Sequence, residues 1–235
     1  MGFLIARILD PADGERIYDP TAGSGGLLIK AFLRHREKWA AQLGKAPEDL
    51  EPDAITHPIL LYGQELQADN VAAAKMNAFI HDMQADVRQG NTMRNPLFTN
   101  EAGGLRHFDK IAANPMWNQD IATTVYETDA YDRFPWGTPP GGTADWGWVQ
   151  HMYASLTPGG RMAVVLDTGA ASRGSGNKGR NAERDIRKHF VEADAIEAVI
   201  LLPDNLFFNT SAPGIILVAR KVDAEQPRPH PGGSC

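Results

Sequence analysis

Residues 108–120 read FDKIAANPMWNQD, a strand-like run cut off at Asn114-Pro115 and followed within two residues by the indole of Trp117. Asn-Pro is common turn punctuation, and taken alone the stretch is no more than that. Two other stretches supply possible chemistry around it. In YDPTAGSGGLLIKA, residues 18–31, a glycine-rich turn stands between a short strand and a helix, the place where open α/β sheets bind ligands. Gly23, Gly25 and Gly26 remove side chains so that the backbone can approach a ligand, and Asp19 ends the strand as a hydrogen-bond acceptor, with Pro20, Thr21 and Ser24 in the same turn. No Gly-Lys-Ser/Thr follows the loop, so it is not a P-loop, and a carboxylate facing the site repels a pyrophosphate. A cationic or amine-bearing ligand suits it better; a mere tight turn is the bland alternative.

The second apolar run ends in YGQE, placing Glu65 where such sheets carry an acid that accepts hydrogen bonds from ribose hydroxyls. An acidic cap on the following helix is the structural alternative, and the two roles are compatible. A glycine loop that tolerates an amino acid, next to an acid that reads ribose, points to a nucleoside without phosphates. S-adenosylmethionine meets that description.

These residues must be held by elements the rest of the chain supplies. With 235 residues one domain can bury a core without disulfides. The one cysteine, Cys235, ends a tail, AEQPRPHPGGSC, whose composition predicts disorder, so no disulfide framework or thiol zinc site is expected. The seven histidines show no pair at metal-ligand spacing. No apolar run reaches a membrane-helix length and no signal peptide is read, so a cytoplasmic protein without membrane contact is expected. A formal net charge of −6 argues against a free-standing binder that covers phosphates by its global field.

FLIARILD is helix-spaced, RIYDP reads as a strand, GGLLIKAFLRHREKWAAQL as a helix, and residues 44–58 as a polar surface loop. PILLYGQE is the second strand, QADNVAAAKMNAFIHDM a helix, ADVRQGN a weaker strand and FDKIAANP another. A long loop over 116–143 leads to the helix ADWGWVQHMYASL, stopped by TPGG, then the strand RMAVVLD, the helix RNAERDIRKHFVEA, and the strands AIEAVILLP and GIILVARK. Strands alternating with helices mean a doubly wound, mostly parallel sheet. Between Pro203 and Gly214 there are too few residues for a crossover helix, so the last two strands are read as antiparallel.

Together DPTAGSGGLLIKA, YGQE, NAFIHDM, ANPMWNQD, ADWGWVQHMYASLTPGGRMAVVLD and VILLPDNLFFNTSAPGIILVARK resemble the catalytic region of the modification subunit of Type I restriction-modification systems, the N-6 adenine-specific DNA methyltransferases. The resemblance implies an α/β class I S-adenosylmethionine-dependent methyltransferase fold of seven strands with a terminal antiparallel pair. It assigns 1–222 to a catalytic domain and leaves 223–235 as tail. In that family an Asn-Pro-Pro-aromatic turn holds a flipped adenine, which implies that the Asn114 side-chain oxygen and the Pro115 carbonyl accept from the exocyclic amino group while Trp117 stacks on the ring. S-adenosylmethionine would be held by Asp19, Pro20, Thr21, Gly23, Ser24, Gly25, Gly26, Glu65 and Asn91. The partners implied are DNA, a specificity subunit that carries target recognition, and a restriction subunit.

Met116 stands where the pattern has a second proline, and Asn91 where many relatives have Asp. The chain is expected to begin just inside the region that follows a helical N-terminal domain in this family. Two rival readings stay open: a methyltransferase acting on protein glutamine or RNA, and a cofactor-binding subunit without activity. The basic residues Arg173, Lys178, Arg180, Arg184, Arg187 and Lys188 are either a solvated helix face or contacts to backbone phosphates. Tyr126, Tyr131, Phe134, Trp136, Trp146 and Trp148 are read mostly as core, with those in the long loop able to wall a base pocket.

Overall fold

Apolar residues at period two and at period three to four alternate along the chain, and each kind of segment can bury its face only against the other. The computed structural model, which describes residues 1–51, 54–176, 181–207 and 212–222, has the strands β1 (Arg16–Asp19), β2 (Leu60–Glu65), β3 (Ala85–Gln89), β4 (Phe108–Ala113), β5 (Leu156–Asp167), β6 (Ile196–Leu201) and β7 (Gly214–Arg220). The helices are α1 (Gly2–Leu9), α2 (Gly26–Gln42), α3 (Ala68–Ile80), α4 (Thr124–Glu127), α5 (Asp145–Ala154), α6 (Gly169–Ser172) and α7 (Ala182–Glu192). The tail expected over 223–235 lies outside the described residues. Among those residues no helix is long and apolar enough to cross a membrane.

One sheet runs in the order β3-β2-β1-β4-β5-β7-β6, parallel throughout except that β7 is antiparallel to both β5 and β6. The short connection after β6 forces β7 to return, and it does so by slotting between β5 and β6. The chain steps outward from β1 through β2 to β3 and then crosses back to β4 on the other side of β1. That reversal opens a crevice beyond the carboxyl ends of β1, β2 and β4.

Alternate residues of β5 serve opposite layers. Met162, Val164 and Leu166 pack with Trp146, Ile186 and Phe190 under α5 and α7, whereas Ala163 and Val165 pack with Ile5 and Leu9 of α1. Leu28 and Ile29 of α2, and Val71 and Ala74 of α3, cover Ile17 and Leu61 on the α1 side. A strand buried on both faces reads as a continuous apolar run, as MAVVL does.

Two details depart from the sequence reading. TPGG does not precede the strand but lies within it: β5 starts at Leu156, and the pairing jumps from Phe108↔Leu156 to Lys110↔Arg161, with Gly159 at φ +73°. A bulge of this kind needs a residue free to take positive φ. The long loop also folds a turn of helix at α4, tied down by Val125 and Tyr126, which pack with Trp148.

Candidate active site

A cavity of about 470 Å³ opens at the crevice. It is lined by Pro20, Thr21 and Gly23 after β1, Glu65 to Gln67 and Asn70 after β2, and Gly90 to Arg94 after β3. Asn114, Met116 and Gln119 to Ala122 line it from beyond β4, with Trp148 from α5. The volume suits a nucleoside-sized ligand.

The glycine turn takes its shape from φ +52° at Gly23 and +82° at Gly25, values other residues rarely adopt. A Cβ on Gly23 or Gly26 would meet nothing within 4 Å, so the loop backbone faces open space. Behind the loop the fit is tight: a Cβ on Gly63 of β2 would stand 2.9 Å from the Ala22 methyl. The Gly23 amide donates to Glu65 Oε2 at 2.9 Å, while Glu65 Oε1 accepts from the Gln67 amide at 2.8 Å and from Asn70 Nδ2 at 3.4 Å. Glu65 thus holds the loop and the start of α3, the capping role the sequence offered, while it also lines the cavity. A carboxylate has about four acceptor positions, so capacity remains for hydroxyl donors.

Asp19 departs from expectation. It is 1% exposed and absent from the cavity wall; its Oδ1 accepts from the Thr21 amide at 3.0 Å and from Thr21 Oγ1 at 3.3 Å. Its short side chain at the end of a central strand reaches the next turn before it reaches the crevice. Ser24, Gly25 and Gly26 are also off the wall: Ser24 lends its carbonyl to Asn77 Nδ2 at 2.9 Å, and Gly26 starts α2.

Burial above all pushes the Asp19 carboxyl up to about 7, against the opposing Thr21 hydrogen bonds. The unfolded chain has it near 3.8, so between that pH and about 7 the folded state holds a proton the unfolded state has lost. Stability contributed by the protonated form is therefore full below the lower value and is lost as pH rises through about 7. Asp19→Asn should gain on the wild type by up to about 1.4 kcal/mol per pH unit across this window. Urea midpoints at about pH 5 and pH 7 measure it, and an unchanged gap between the two proteins would place Asp19 near its ordinary pKa.

The segment after β3 is held by groups the sequence did not single out. Gln64, fully buried, donates to the Asn95 carbonyl and accepts from the Leu97 amide, both at 2.9 Å. Thr92 Oγ1 donates to the Pro20 carbonyl at 2.7 Å, joining this segment to the glycine loop. Asn91 lines the cavity, but its Oδ1 accepts from the Arg94 amide at 3.0 Å, a local turn contact. Arg133, 1% exposed, donates to the carbonyls of Thr92 and Met93 at 3.0 and 2.7 Å and pairs with Asp129 at 2.7 Å. Its Nη1 also faces His151 Nδ1 at 3.3 Å, and burial first, then the Arg133 charge, keep His151 well below its ordinary pKa and so neutral. A basic residue inside an acidic, aromatic loop gives no sequence cue to such burial.

Of the turn after β4, exposed Asn114 and 73%-exposed Met116 line the cavity, while Pro115 is buried. Trp117 is placed differently from the expectation. Its half-buried ring lies edge-on to Phe207, centroids 4.6 Å apart, and packs with the α1 layer rather than on the cavity wall. It lies over Gly214, where an added Cβ would come within 2.9 Å of the indole. The ring instead buries apolar area against Phe207 and the α1 layer. Trp148 is the aromatic on the wall, its Nε1 donating to Gln119 Oε1 at 3.2 Å; Trp146 is core, and Trp136 packs on Phe190 at 4.3 Å.

The basic residues past β5 are largely engaged within the protein. Arg173 pairs with Asp145, Asp167 and Glu183; Arg184 pairs with Asp185, and Lys188 with Glu192. Arg187 donates to the carbonyls of Ala170 and Arg173. Lys178 and Arg180 lie outside the described residues.

Comparison with known proteins places this site in context. The model of the N-6 DNA methylase family matches residues 2–229. The chain is 38% identical, over 95% of its length, to the Type I restriction enzyme MjaVIII methylase subunit of Methanocaldococcus jannaschii, of which it covers 36%. A crystal structure of the type I restriction-modification system methyltransferase subunit from Streptococcus thermophilus superposes with a TM-score of 0.75 at 30% identity, covering 94% of this chain and 43% of that one. A putative class I S-adenosylmethionine-dependent methyltransferase from Listeria monocytogenes shares the fold, with a TM-score of 0.69 at 16% identity over 97% of this chain and 61% of that one. The chain therefore spans well under half the length of its type I relatives.

Proposed function

Because the chain belongs to the N-6 DNA methylase family, we propose that it transfers a methyl group from S-adenosylmethionine to the exocyclic amino group of adenine in DNA, as the catalytic part of a Type I modification subunit. The observation that carries the reading is that Asn114 opens onto the same cavity as Gly23 and Glu65. Residues 1–222 are the catalytic domain in this proposal.

The fit to the cofactor rests on the open space before Gly23, on the Glu65 carboxylate and on the amides of Gln67, Asn70 and Asn91 around the cavity. Glu65 would accept from the ribose hydroxyls, Asn91 would lie beside the adenine, and the Pro20–Gly26 turn would take the amino-acid end. Asp19 would shape that turn from behind by its hold on Thr21. The cofactor supplies an electrophilic methyl group on a sulfonium. An aryl amine is a poor nucleophile, so the protein's task is to orient it. The Asn114 side-chain oxygen and the Pro115 carbonyl would accept hydrogen bonds from both of its N–H groups and direct its lone pair, and once the nitrogen carries the methyl group its surplus proton passes to water. Trp117 would stack on the extruded base after its ring leaves its contact with Phe207.

Recognition of a DNA sequence is proposed to come from a specificity subunit, with a restriction subunit in the larger assembly. The engaged arginines past β5 and the acidic net charge support a chain that binds DNA weakly alone. Tritiated methyl transfer to unmethylated plasmid, protein extract and RNA, with and without the specificity subunit, tests the assignment. Label in plasmid adenine only with that subunit present is expected; label in protein or RNA instead would move the substrate. A second reading, a cofactor-binding subunit without activity, draws on the placement of Met116 rather than Trp117 on the wall, and label in none of the three would favour it.

Glu65→Ala is expected to weaken binding of the demethylated cofactor by about 1–3 kcal/mol, since the hydroxyls lose their acceptor and the Gly23 amide its partner. Titration calorimetry reads this directly, and unchanged affinity would remove Glu65 from the site.

A further inference from the structure

The turn that presents Asn114 is anchored unevenly. On its near side, Ala113 is held in the sheet opposite Val164 of β5. On its far side the chain has left the sheet, and at Asn118 the backbone takes φ +50°. Asn118 Oδ1 accepts from Arg173 Nη1 at 3.2 Å. The same guanidinium donates to both oxygens of Asp167 at 3.0 Å, to Glu183 at 2.7 and 3.0 Å, and to Asp145. It passes over Gly169, where a Cβ would meet Arg173 Nη1 at 2.4 Å.

One side chain thus joins the carboxyl end of β5, the first turns of α5 and α7, and the residue directly after Trp117. Asp145 is fully buried and Glu183 nearly so, whereas the Arg173 side chain is 25% exposed. A single guanidinium facing three carboxylates is poorly placed to recruit a phosphate, because the local field around it is negative. Its planar fork can serve several acceptors at fixed angles, which a lysine ammonium cannot reproduce.

We propose that Arg173 is a positioning residue for methyl transfer: through Asn118, with Asp145 behind it, it fixes the far end of the Asn114–Trp117 turn so that the Asn114 and Pro115 acceptors stay aimed at the target amine. The proposal rests on the reading of that turn as the amine-holding element. Arg173 touches neither the cavity wall nor a reacting atom, so its effect appears in alignment and not in cofactor binding.

The test uses the assembly with its specificity subunit for kinetics and the chain itself for hydrogen exchange. Asn118→Gly keeps the positive φ while removing the contact to Arg173, and R173K keeps the charge while removing the fork. Each is expected to lower kcat about tenfold or more, to leave affinity for the demethylated cofactor within about twofold, and to speed exchange of the Met116 to Gln119 amides about tenfold. The double variant should be no slower than the worse single one, because both changes break one link. Wild-type kcat in Asn118→Gly, fully additive losses, or unaltered exchange in this segment would each overturn the proposal. If R173K fails to fold, Asn118→Gly alone decides by the same kinetic and exchange readouts. Should the wild-type assembly transfer no methyl group, the functional reading falls, and faster or unaltered exchange in Asn118→Gly still decides whether Arg173 anchors the turn.

Discussion

Asn114→Ala is expected to lower kcat by about 10²–10³-fold while affinity for the demethylated cofactor and the unfolding midpoint stay near wild type. The magnitude follows from the proposed role of Asn114 as one preorganised acceptor for the target amine. The selectivity follows from position. Asn114 is exposed at the cavity wall, so its truncation opens no core and leaves no buried partner unsatisfied, and the expected stability change is within about 0.5 kcal/mol. The contacts that shape the proposed cofactor side, Gly23 to Glu65 and Thr92 to Pro20, do not involve it. Single-turnover methyl transfer and calorimetry on the same preparation check both halves. Equal losses in kcat and in cofactor affinity would mean that Asn114 supports the cofactor rather than the target amine.

The second large effect belongs to a residue with no proposed contact to substrate. Arg133→Met should destabilise the fold by about 3–5 kcal/mol, the scale for breaking a buried ion pair on one side. Methionine approximates the stem but leaves the Asp129 carboxylate, 5% exposed, without its cation. It also leaves the Thr92 and Met93 carbonyls without donors. For a chain of this size that is a fall in Tm of roughly 6–20 °C. Because Thr92 and Met93 form part of the cavity wall, cofactor affinity should fall as well, in contrast to Asn114→Ala. A Tm within about 2 °C of wild type would show that the Arg133 network merely breaks even against an apolar side chain, as some buried pairs do.

What the sequence determined by itself is local: where strands and helices lie, which turns need glycine, and where strand ends deliver polar groups. Period-two and period-3.6 patterns report burial, so the alternation of elements and the sheet class were legible, and the short link after β6 required β7 to return antiparallel. Glu65 was legible as a cavity residue because it is the polar residue at a strand's carboxyl end, the one place an α/β sheet leaves for a ligand, whereas Asn114 was singled out only by the resemblance of ANPMWNQD to the Asn-Pro-Pro-aromatic turn. The tertiary structure alone decided which way the other side chains turn. Asp19 and Trp117 sit in the same kind of position as Glu65 and Asn114. Yet Asp19 is closed off by Thr21 two residues on, and Trp117 is drawn away by Phe207 and by the space left at Gly214. Arg173 and Arg133 look like surface charges in sequence. They became internal ties because Asp145, Asp167 and Glu183 meet around one, and Asp129 with two carbonyls around the other. Such meetings depend on long-range packing of separate elements, and no periodicity or spacing along the chain encodes the distance between residues that only the fold brings together.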